Sequence, residues 1–130
     1  MLVAGEARGV VLALDEPLSF WGGFDAGTGT IIDQAHPQVG ESLVDKIVMM
    51  SFGRGSSSGS SVLAEAIREG TAPAALVLSE SDEIIVLGAI VAEEVYGITM
   101  PIAIVDPATY AEIAAADTAV VAPDGTITLG

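Results

Sequence analysis

The chain has 130 residues, a formal charge of −14 and no cysteine. This length fits a single domain over residues 1–130, which is large enough to need no disulfide or structural metal. The acidity argues against binding nucleic acid or an anionic membrane surface, since both require a basic face. Apolar runs stay below the roughly 18 residues of a membrane span. The first residues lack a basic signal region, so we expect a cytoplasmic protein.

The absence of cysteine also limits the cofactors that this chain can hold. An iron–sulfur cluster needs thiolate ligands, and none is available here. The single histidine, His36, excludes a multi-histidine metal site within the chain. We therefore expect this chain to bind no metal and no cofactor of its own.

The first third of the chain has the pattern of strands and turns. An apolar run over 10–14 predicts a buried strand that ends at an Asp-Glu-Pro turn signal. In the segment 19–23, two glycines follow two aromatic residues, which indicates a tight backbone bend beside a packed ring. Turn residues over 25–29 precede a short strand over 30–33, and a loop over 34–42 follows.

The rest of the chain alternates strands with helices. We predict strands over 46–50, 74–78 and 101–105, helices over 60–69, 82–97 and 107–116, and a final hairpin of strands 118–122 and 126–129. Gly70 ends the first helix, Ser81 caps the second, and Asp106 caps the third. The Ile-Ile-Val-Leu start of the second helix also fits a strand. The pattern predicts an α/β fold, a layered β/β/α domain with a β-rich N-terminal part followed by alternating strands and helices.

One loop is rich in residues that can take part in binding or catalysis. Residues 51–61 read Ser-Phe-Gly-Arg-Gly-Ser-Ser-Ser-Gly-Ser-Ser and connect a buried strand to an amphipathic helix. The start of a helix offers N–H groups and a positive dipole end to an anion, and glycines let a ligand approach closely. Arg54 is one of only four cations in the chain. The alternative is an exposed Gly/Ser loop with an N-cap serine, and composition leaves both interpretations open.

This loop resembles the Gly-x-Gly-Ser-Ser-Arg loop in the swivelling domain of aconitases and 3-isopropylmalate isomerases. The whole chain is similar, more specifically, to the small subunit or swivel domain of aconitase X. Besides the loop, the similar stretches are residues 14–23 (Leu-Asp-Glu-Pro-Leu-Ser-Phe-Trp-Gly-Gly), 36–42 (His-Pro-Gln-Val-Gly-Glu-Ser), 71–75 and 88–92. The resemblance covers nearly all of the chain and implies a swivelling β/β/α fold.

The resemblance also implies an activity and a partner. It implies a hydro-lyase that works only when a large catalytic subunit joins this chain, and a small carboxylate substrate. The family's substrates are cis-3-hydroxy-L-proline, mainly in bacteria, and mevalonate 5-phosphate, in archaea. The sequence from Arg54 to Gly59 is closer to the hydroxyproline type, whose product is pyrroline-2-carboxylate. An iron or iron–sulfur centre is expected on the large subunit, where it assists the loss of hydroxide as a Lewis acid.

Mapped by motif, the catalytic residue is Ser56, as the base that removes the proton next to the substrate carboxylate. A serine alkoxide needs nearby positive charge and N–H donors, which Arg54 and the helix start offer. Aconitases have arginine after the two serines, where this chain has Ser58, so Arg54 is expected to bind the carboxylate. The implied substrate-binding residues are Arg54, Gly55, Ser57, Ser58 and Gly59. The residues expected near the site or the subunit interface are Ser19, Phe20, Trp21, Gly22, Gly23 and His36.

Other interpretations of these residues stay open at this stage. The chain fits a non-catalytic module that binds carboxylates or phosphates, or a purely structural interaction domain. His36 alone is typical of a surface or hydrogen-bonding histidine, and Phe20 with Trp21 is typical of core or interface packing. Four acids are expected to be turn residues rather than metal ligands, namely Asp15, Glu16, Asp25 and Asp33.

Overall fold

The fold is known from a computed structural model, which describes residues 2–51 and 58–130. In chain order its elements are β1 (Ala7–Ala13), α1 (Phe20–Gly23), β2 (Phe24–Asp25), β3 (Thr30–Ile31), β4 (Ile47–Met50), α2 (Gly59–Glu69), β5 (Ala75–Leu78), α3 (Glu83–Tyr96), β6 (Ile102–Ile104), α4 (Pro107–Ala114), β7 (Thr118–Val121) and β8 (Ile127–Leu129). A six-stranded sheet has the order β6-β5-β4-β1-β7-β8, and β2 and β3 form a separate hairpin. The alternation of strands and helices that the sequence predicts is confirmed.

The central sheet is parallel on one side and antiparallel on the other. Strands β6, β5, β4 and β1 run parallel, whereas β7 pairs antiparallel with β1 and β8 antiparallel with β7. Strand β1 changes partner along its length, because Ala7 to Val10 pair with β7 and Val11 to Ala13 pair with β4. The strand predicted over 10–14 therefore begins three residues after the observed start of β1 at Ala7. Residues before Val10 become strand only because β7, from the far end of the chain, pairs with them.

The two faces of the sheet form two separate cores. Along β4, Val48 and Met50 join a core with α2, α3 and the β2–β3 hairpin, whereas Ile47 and Met49 join a smaller core that includes Ile113 of α4. Alternate residues of a strand point to opposite faces, so a continuous apolar run is what a sheet covered on both faces requires. The hairpin adds a second β layer through Phe24 and Ile31. The expected layered β/β/α domain is confirmed.

Helix ends follow the predicted caps with one exception. Gly70 ends α2 with a φ of +81°, and the Asp106 carboxylate accepts a hydrogen bond from the Thr109 N–H at 2.7 Å. The Thr109 backbone hydrogen bond lowers the pKa of Asp106. Helix α3 is capped by Asp82 rather than Ser81, because the Asp82 carboxylate reaches the N–H groups of both Ile84 and Ile85, at 3.0 and 3.1 Å.

The helical alternative for the segment that begins Ile-Ile-Val-Leu is confirmed, since those residues lie in α3. The other predicted strands and helices lie within one or two residues of their observed bounds. Within the ranges given above, no helix combines the length and the apolar character that crossing a membrane requires.

Candidate active site at the carboxyl edge of the sheet

The Gly/Ser loop leaves the carboxyl end of β4 and enters α2. Strands β1, β4, β5 and β6 run parallel, so their carboxyl ends share one edge of the sheet. That edge is where open α/β sheets bind their ligands. Outside the described residues lie the predicted site residues Arg54, Gly55, Ser56 and Ser57. Both ends of the loop, Ser51 and Ser58, are described.

The first end of the loop is fixed by the neighbouring strand. The Ser51 carbonyl oxygen accepts hydrogen bonds from the N–H groups of Ser79 and Glu80, at 3.1 and 2.9 Å. The Ser79 hydroxyl donates to the same oxygen at 3.1 Å. Ser79 and Glu80 directly follow β5, so these hydrogen bonds tie the ends of β4 and β5 together. The loop therefore starts from an anchored position on the carboxyl edge.

The second end of the loop is packed between two other elements. The Ser58 carbonyl accepts hydrogen bonds from the N–H groups of Ser61 and Val62, which begins α2. Gly59 is buried, and a Cβ placed on it would lie 3.6 Å from both Ile84 Cγ2 and the backbone nitrogen of Trp21. The α1 turn and the first turn of α3 therefore flank the start of α2. The predicted site region 19–23 therefore lies beside Gly59, at the second end of the Gly/Ser loop.

The α1 turn packs one aromatic ring inside and presents the other outside. Phe20 is buried, and its ring meets the edge of the Phe24 ring with centroids 5.2 Å apart. Trp21 is 57% exposed. The bend predicted from the two glycines is present, since Gly22 has a φ of +82° and the Ser19 hydroxyl donates to the Trp21 carbonyl at 2.8 Å. The backbone of Trp21 thus lies beside the start of α2, and its side chain is exposed.

His36 is a buried hydrogen-bonding residue. Its side chain is only 3% exposed, and Gln38 N–H donates to Nδ1 at 3.1 Å. Nδ1 is therefore the acceptor, so Nε2 carries the proton and donates to the Glu16 carbonyl oxygen at 3.0 Å. Both ring nitrogens are used within the chain. This geometry supports the hydrogen-bonding interpretation of His36, with the ring joining the loop over 34–42 to the segment after β1.

Gln38 holds the backbone after β1 in place, a role that its sequence context does not predict. Its side-chain oxygen accepts from the Asp15 N–H at 2.8 Å, and its amide donates to the Ala13 carbonyl at 3.0 Å. Together with His36, it holds the segment that leads from β1 to the α1 turn. The stretch 36–42 was notable for its resemblance, but nothing local indicated a partner more than twenty residues away in sequence.

His36 variants are expected to separate the two hydrogen bonds. His36→Ala removes a buried side chain together with the acceptor for the Gln38 N–H and the donor to the Glu16 carbonyl, and should lower the free energy of unfolding by about 2–3 kcal/mol. His36→Asn keeps an acceptor near the Nδ1 position, and His36→Gln keeps a donor near Nε2. Each should cost less than alanine in urea denaturation. Equal losses for all three variants would contradict the roles assigned to the two nitrogens.

The cations in the described part of the chain lie away from this edge. Arg8 is exposed in the first half of β1, and Lys46 directly precedes β4 at the opposite edge of the sheet. Arg68, near the end of α2, forms ion pairs with Glu65 at 2.5 Å and Glu69 at 2.6 Å. The hydrogen bond from Arg68 lowers the pKa of Glu65. Arg54 is therefore the one cation that the sequence places in the loop.

Two acidic residues in turns accept hydrogen bonds from backbone N–H groups. The Asp25 carboxylate accepts from the Gly27 N–H at 2.8 Å, and the Asp33 carboxylate accepts from the Ala35 N–H at 2.9 Å. The interpretation of these two acids as turn residues is confirmed. Over residues 2–51 and 58–130, no group of three or more His, Asp or Glu side chains is arranged to hold a metal ion.

Gly88 sets how closely α3 approaches the first turn of α2. A Cβ on Gly88 would lie 2.8 Å from the Ser60 carbonyl oxygen and 3.1 Å from Leu63 Cβ. Because the nearest atom is backbone, Gly88→Ala should force the two helices apart and lower the free energy of unfolding by about 2 kcal/mol. Gly59→Ala is the matched control for stability, since its Cβ would meet only ordinary contacts. Thermal unfolding of both variants checks this, and equal stability losses would contradict it.

The fold and the placement of the loop define the class of protein. A Gly/Ser loop between a strand and a helix of a β/β/α domain is what the resemblance to swivelling domains implies. The model of the aconitase X swivel domain matches residues 1–129. The chain belongs to the aconitase X swivel domain family.

Relatives of two kinds match the chain. It is 52% identical over 102 residues to a cis-3-hydroxy-L-proline dehydratase of Pseudomonas aeruginosa. The matched region covers 78% of this chain and 18% of that protein. It is also 47% identical over 88 residues to the phosphomevalonate dehydratase small subunit of Methanothermobacter thermautotrophicus. That matched region covers 68% of this chain and 67% of the subunit.

A solved structure supports the same assignment. The crystal structure of the holo-form of Thermococcus kodakaraensis aconitase X matches with a TM-score of 0.84 and 30% identity, covering 99% of this chain and 93% of that chain. The chain spans about a fifth of the length of the hydroxyproline dehydratases that it matches. The sequence-based resemblance to aconitase X is confirmed.

Proposed function

We propose that this chain is the small subunit of an aconitase X-type hydro-lyase that dehydrates cis-3-hydroxy-L-proline to pyrroline-2-carboxylate. The observation that carries the proposal is the 52% identity over 102 residues to a protein named for that reaction. A large catalytic subunit completes the enzyme, because relatives carry the name small subunit or include this domain in a much longer chain.

The charges around the loop support a substrate without net negative charge. Glu80 lies at the loop's first end, where its N–H binds the Ser51 carbonyl, and Asp82 and Glu83 are the cap and the first residue of the helix that flanks the second end. Cis-3-hydroxy-L-proline is a zwitterion at neutral pH, and nearby carboxylates attract its ammonium group. Mevalonate 5-phosphate carries a carboxylate and a phosphate, which the same carboxylates repel. Arg54 is then sufficient to pair with a single substrate carboxylate.

In the proposed reaction, Ser56 removes the proton from the carbon that bears the carboxylate. The electron pair of that C–H bond forms a double bond to the neighbouring carbon, and hydroxide leaves from there and takes up a proton as water. The resulting enamine shifts a proton to give pyrroline-2-carboxylate. Arg54 and the start of α2 stabilise the negative charge on the serine oxygen and on the substrate carboxylate.

The iron or iron–sulfur centre belongs to the large subunit in this proposal. This chain has no cysteine to hold a cluster, and its described side chains form no metal-binding group. Bound on the partner, such a centre supplies a Lewis acid for the departing hydroxide. The chain described here contributes the base, the carboxylate-binding arginine and the backbone around them.

A second candidate is dehydration of mevalonate 5-phosphate. It is favoured by the match to separate small subunits with that name, of which the matched region makes up 67% and 70%. A third, of another class, is a module that binds carboxylates or phosphates through the same loop without catalysis.

The test is an assay of the complex with its large subunit against both substrates, side by side. We expect kcat/KM for cis-3-hydroxy-L-proline to exceed that for mevalonate 5-phosphate by at least about a hundredfold, because the carboxylates beside the loop attract the ammonium group of the first substrate and repel the phosphate of the second. A preference for mevalonate 5-phosphate would establish the second candidate. Binding of either compound without dehydration would establish the third.

A further inference from the structure

Helix α3 has an apolar surface on the side that faces away from the core. The buried side packs Ile85 and Ala89 into the main core. The outer side exposes Leu87, Ile90, Val91 and Val95, with exposed fractions between 37% and 65%, and Leu2 lies beside them at 39%. We call these five residues the α3 apolar face.

The composition of α3 is unusual for a surface helix. No charged residue occurs from Ile84 to Ala92, in a chain of formal charge −14. A helix that is apolar on all sides is normally covered on all sides. Leu2, Val86, Leu87 and Ile90 also line a shallow depression of about 290 Å³, which a partner side chain can fill. Exposed apolar surface of this extent marks an interaction site.

We infer that the α3 apolar face is the surface on which the large subunit docks, an inference that rests on the proposed function. The helix that carries the face packs against the start of α2, because a Cβ on Gly59 would lie 3.6 Å from Ile84 Cγ2 and one on Gly88 would lie 2.8 Å from the Ser60 carbonyl oxygen. A protein seated on α3 therefore reaches the loop from its side. The hydroxyproline dehydratase relatives are about five times longer than the matched region, so the same domain there has further protein beside it.

The charges around the face decide between a large subunit and a second copy of this chain. Glu83 lies at one end of the face, and Glu93 and Glu94 lie at the other. Two copies joined through this face would bring these carboxylates together, and both chains carry a charge of −14. Like charges across an interface cost free energy. The fitting partner therefore has an apolar centre with a rim of lysine or arginine.

The test compares binding of the small-subunit variants to the purified large subunit by isothermal titration calorimetry. The double variant Leu87→Glu with Val91→Glu places two charges at the centre of the face and should weaken binding by roughly thirtyfold or more. Leu87→Ser with Val91→Ser removes the apolar contact without adding charge and should weaken it by about tenfold. Leu129→Glu is the matched control, since Leu129 is 40% exposed at the opposite edge of the sheet and its variant should bind like wild type.

Three outcomes overturn the inference. The first is that both double variants bind the large subunit with an affinity within twofold of wild type. The second is that Leu129→Glu loses as much affinity as the double variants. The third is that the wild-type small chain is a dimer, which the variants convert to monomers without any effect on binding to the large subunit. Light scattering of the small chain alone supplies the last measurement. Dehydratase activity is measured separately on the wild-type complex. A tight but inactive complex contradicts the proposed function alone, whereas an active complex with unaffected variants contradicts the docking surface alone.

Discussion

Replacing Ser56 with alanine is expected to lower the kcat of the assembled enzyme by roughly a thousandfold, the usual contribution of a positioned general base. The proton next to a carboxylate is weakly acidic, so its removal needs a base that is stabilised as an anion. Alanine leaves no oxygen to accept this proton, while the proposed contact of Arg54 with the substrate carboxylate is unaffected. We therefore expect KM to change by less than about fivefold.

The neighbouring serines supply the controls for this prediction. Ser57→Ala and Ser58→Ala remove a hydroxyl from the same loop but not the base, and each should lower kcat by about tenfold or less. Steady-state kinetics of all three variants in complex with the large subunit makes the comparison. If Ser57→Ala or Ser58→Ala abolished activity while Ser56→Ala kept it, the base would be assigned to the wrong residue.

Replacing Gly29 with alanine is expected to lower the free energy of unfolding by about 3 kcal/mol. Gly29 has a φ of +76°, and a Cβ there would overlap Val44 Cγ2 and lie 2.6 Å from the Thr71 carbonyl oxygen. The Thr71 hydroxyl in turn donates to the Ala26 carbonyl at 2.5 Å. A side chain at Gly29 thus separates the β2–β3 hairpin from the segment after α2.

Gly40→Ala is the control that isolates the backbone contribution. Gly40 has a φ of +91°, but a Cβ there would meet no atom within 4 Å. Gly40→Ala should lower the free energy of unfolding by about 1 kcal/mol, which is the cost of a left-handed backbone conformation for alanine. Urea denaturation of both variants gives the difference. If Gly40→Ala lost as much stability as Gly29→Ala, the close packing against Val44 and Thr71 would not be the cause.

The sequence predicts best what depends on neighbouring residues. Gly70 and Asp106 mark helix ends through local geometry, so their roles could be inferred without any tertiary information. The Gly/Ser loop is recognisable between an apolar run and a helical pattern for the same reason. Ser81 and Asp82 show the limit of such inference, because both can cap a helix and only the backbone path chooses Asp82.

Features that depend on distant residues could not be predicted. The first half of β1 is strand because it pairs with β7, more than one hundred residues later. Gln38 positions Ala13 and Asp15 through hydrogen bonds that span more than twenty residues. The apolar pattern of α3 predicts a helix, but an all-apolar pattern does not indicate which side the core leaves exposed.

For the site itself, the sequence indicates the loop, and the fold explains its surroundings. The hydrogen bonds of Ser51 and the packing of Gly59 anchor the two ends of the loop at the carboxyl edge. The role of Ser56 as the base stays a prediction that rests on the resemblance to aconitases. Trp21 is 57% exposed, and its backbone nitrogen lies beside Gly59 at the second end of the loop.

We propose that this chain brings an essential base to an active site that a larger partner completes. The most direct test adds separately purified small chains to the large subunit and measures dehydration of cis-3-hydroxy-L-proline. We predict no turnover by the large subunit alone, full turnover with the wild-type chain, and roughly a thousandfold less with Ser56→Ala at equal binding affinity. Turnover by the large subunit alone, or full turnover with the Ser56→Ala chain, would contradict the claim.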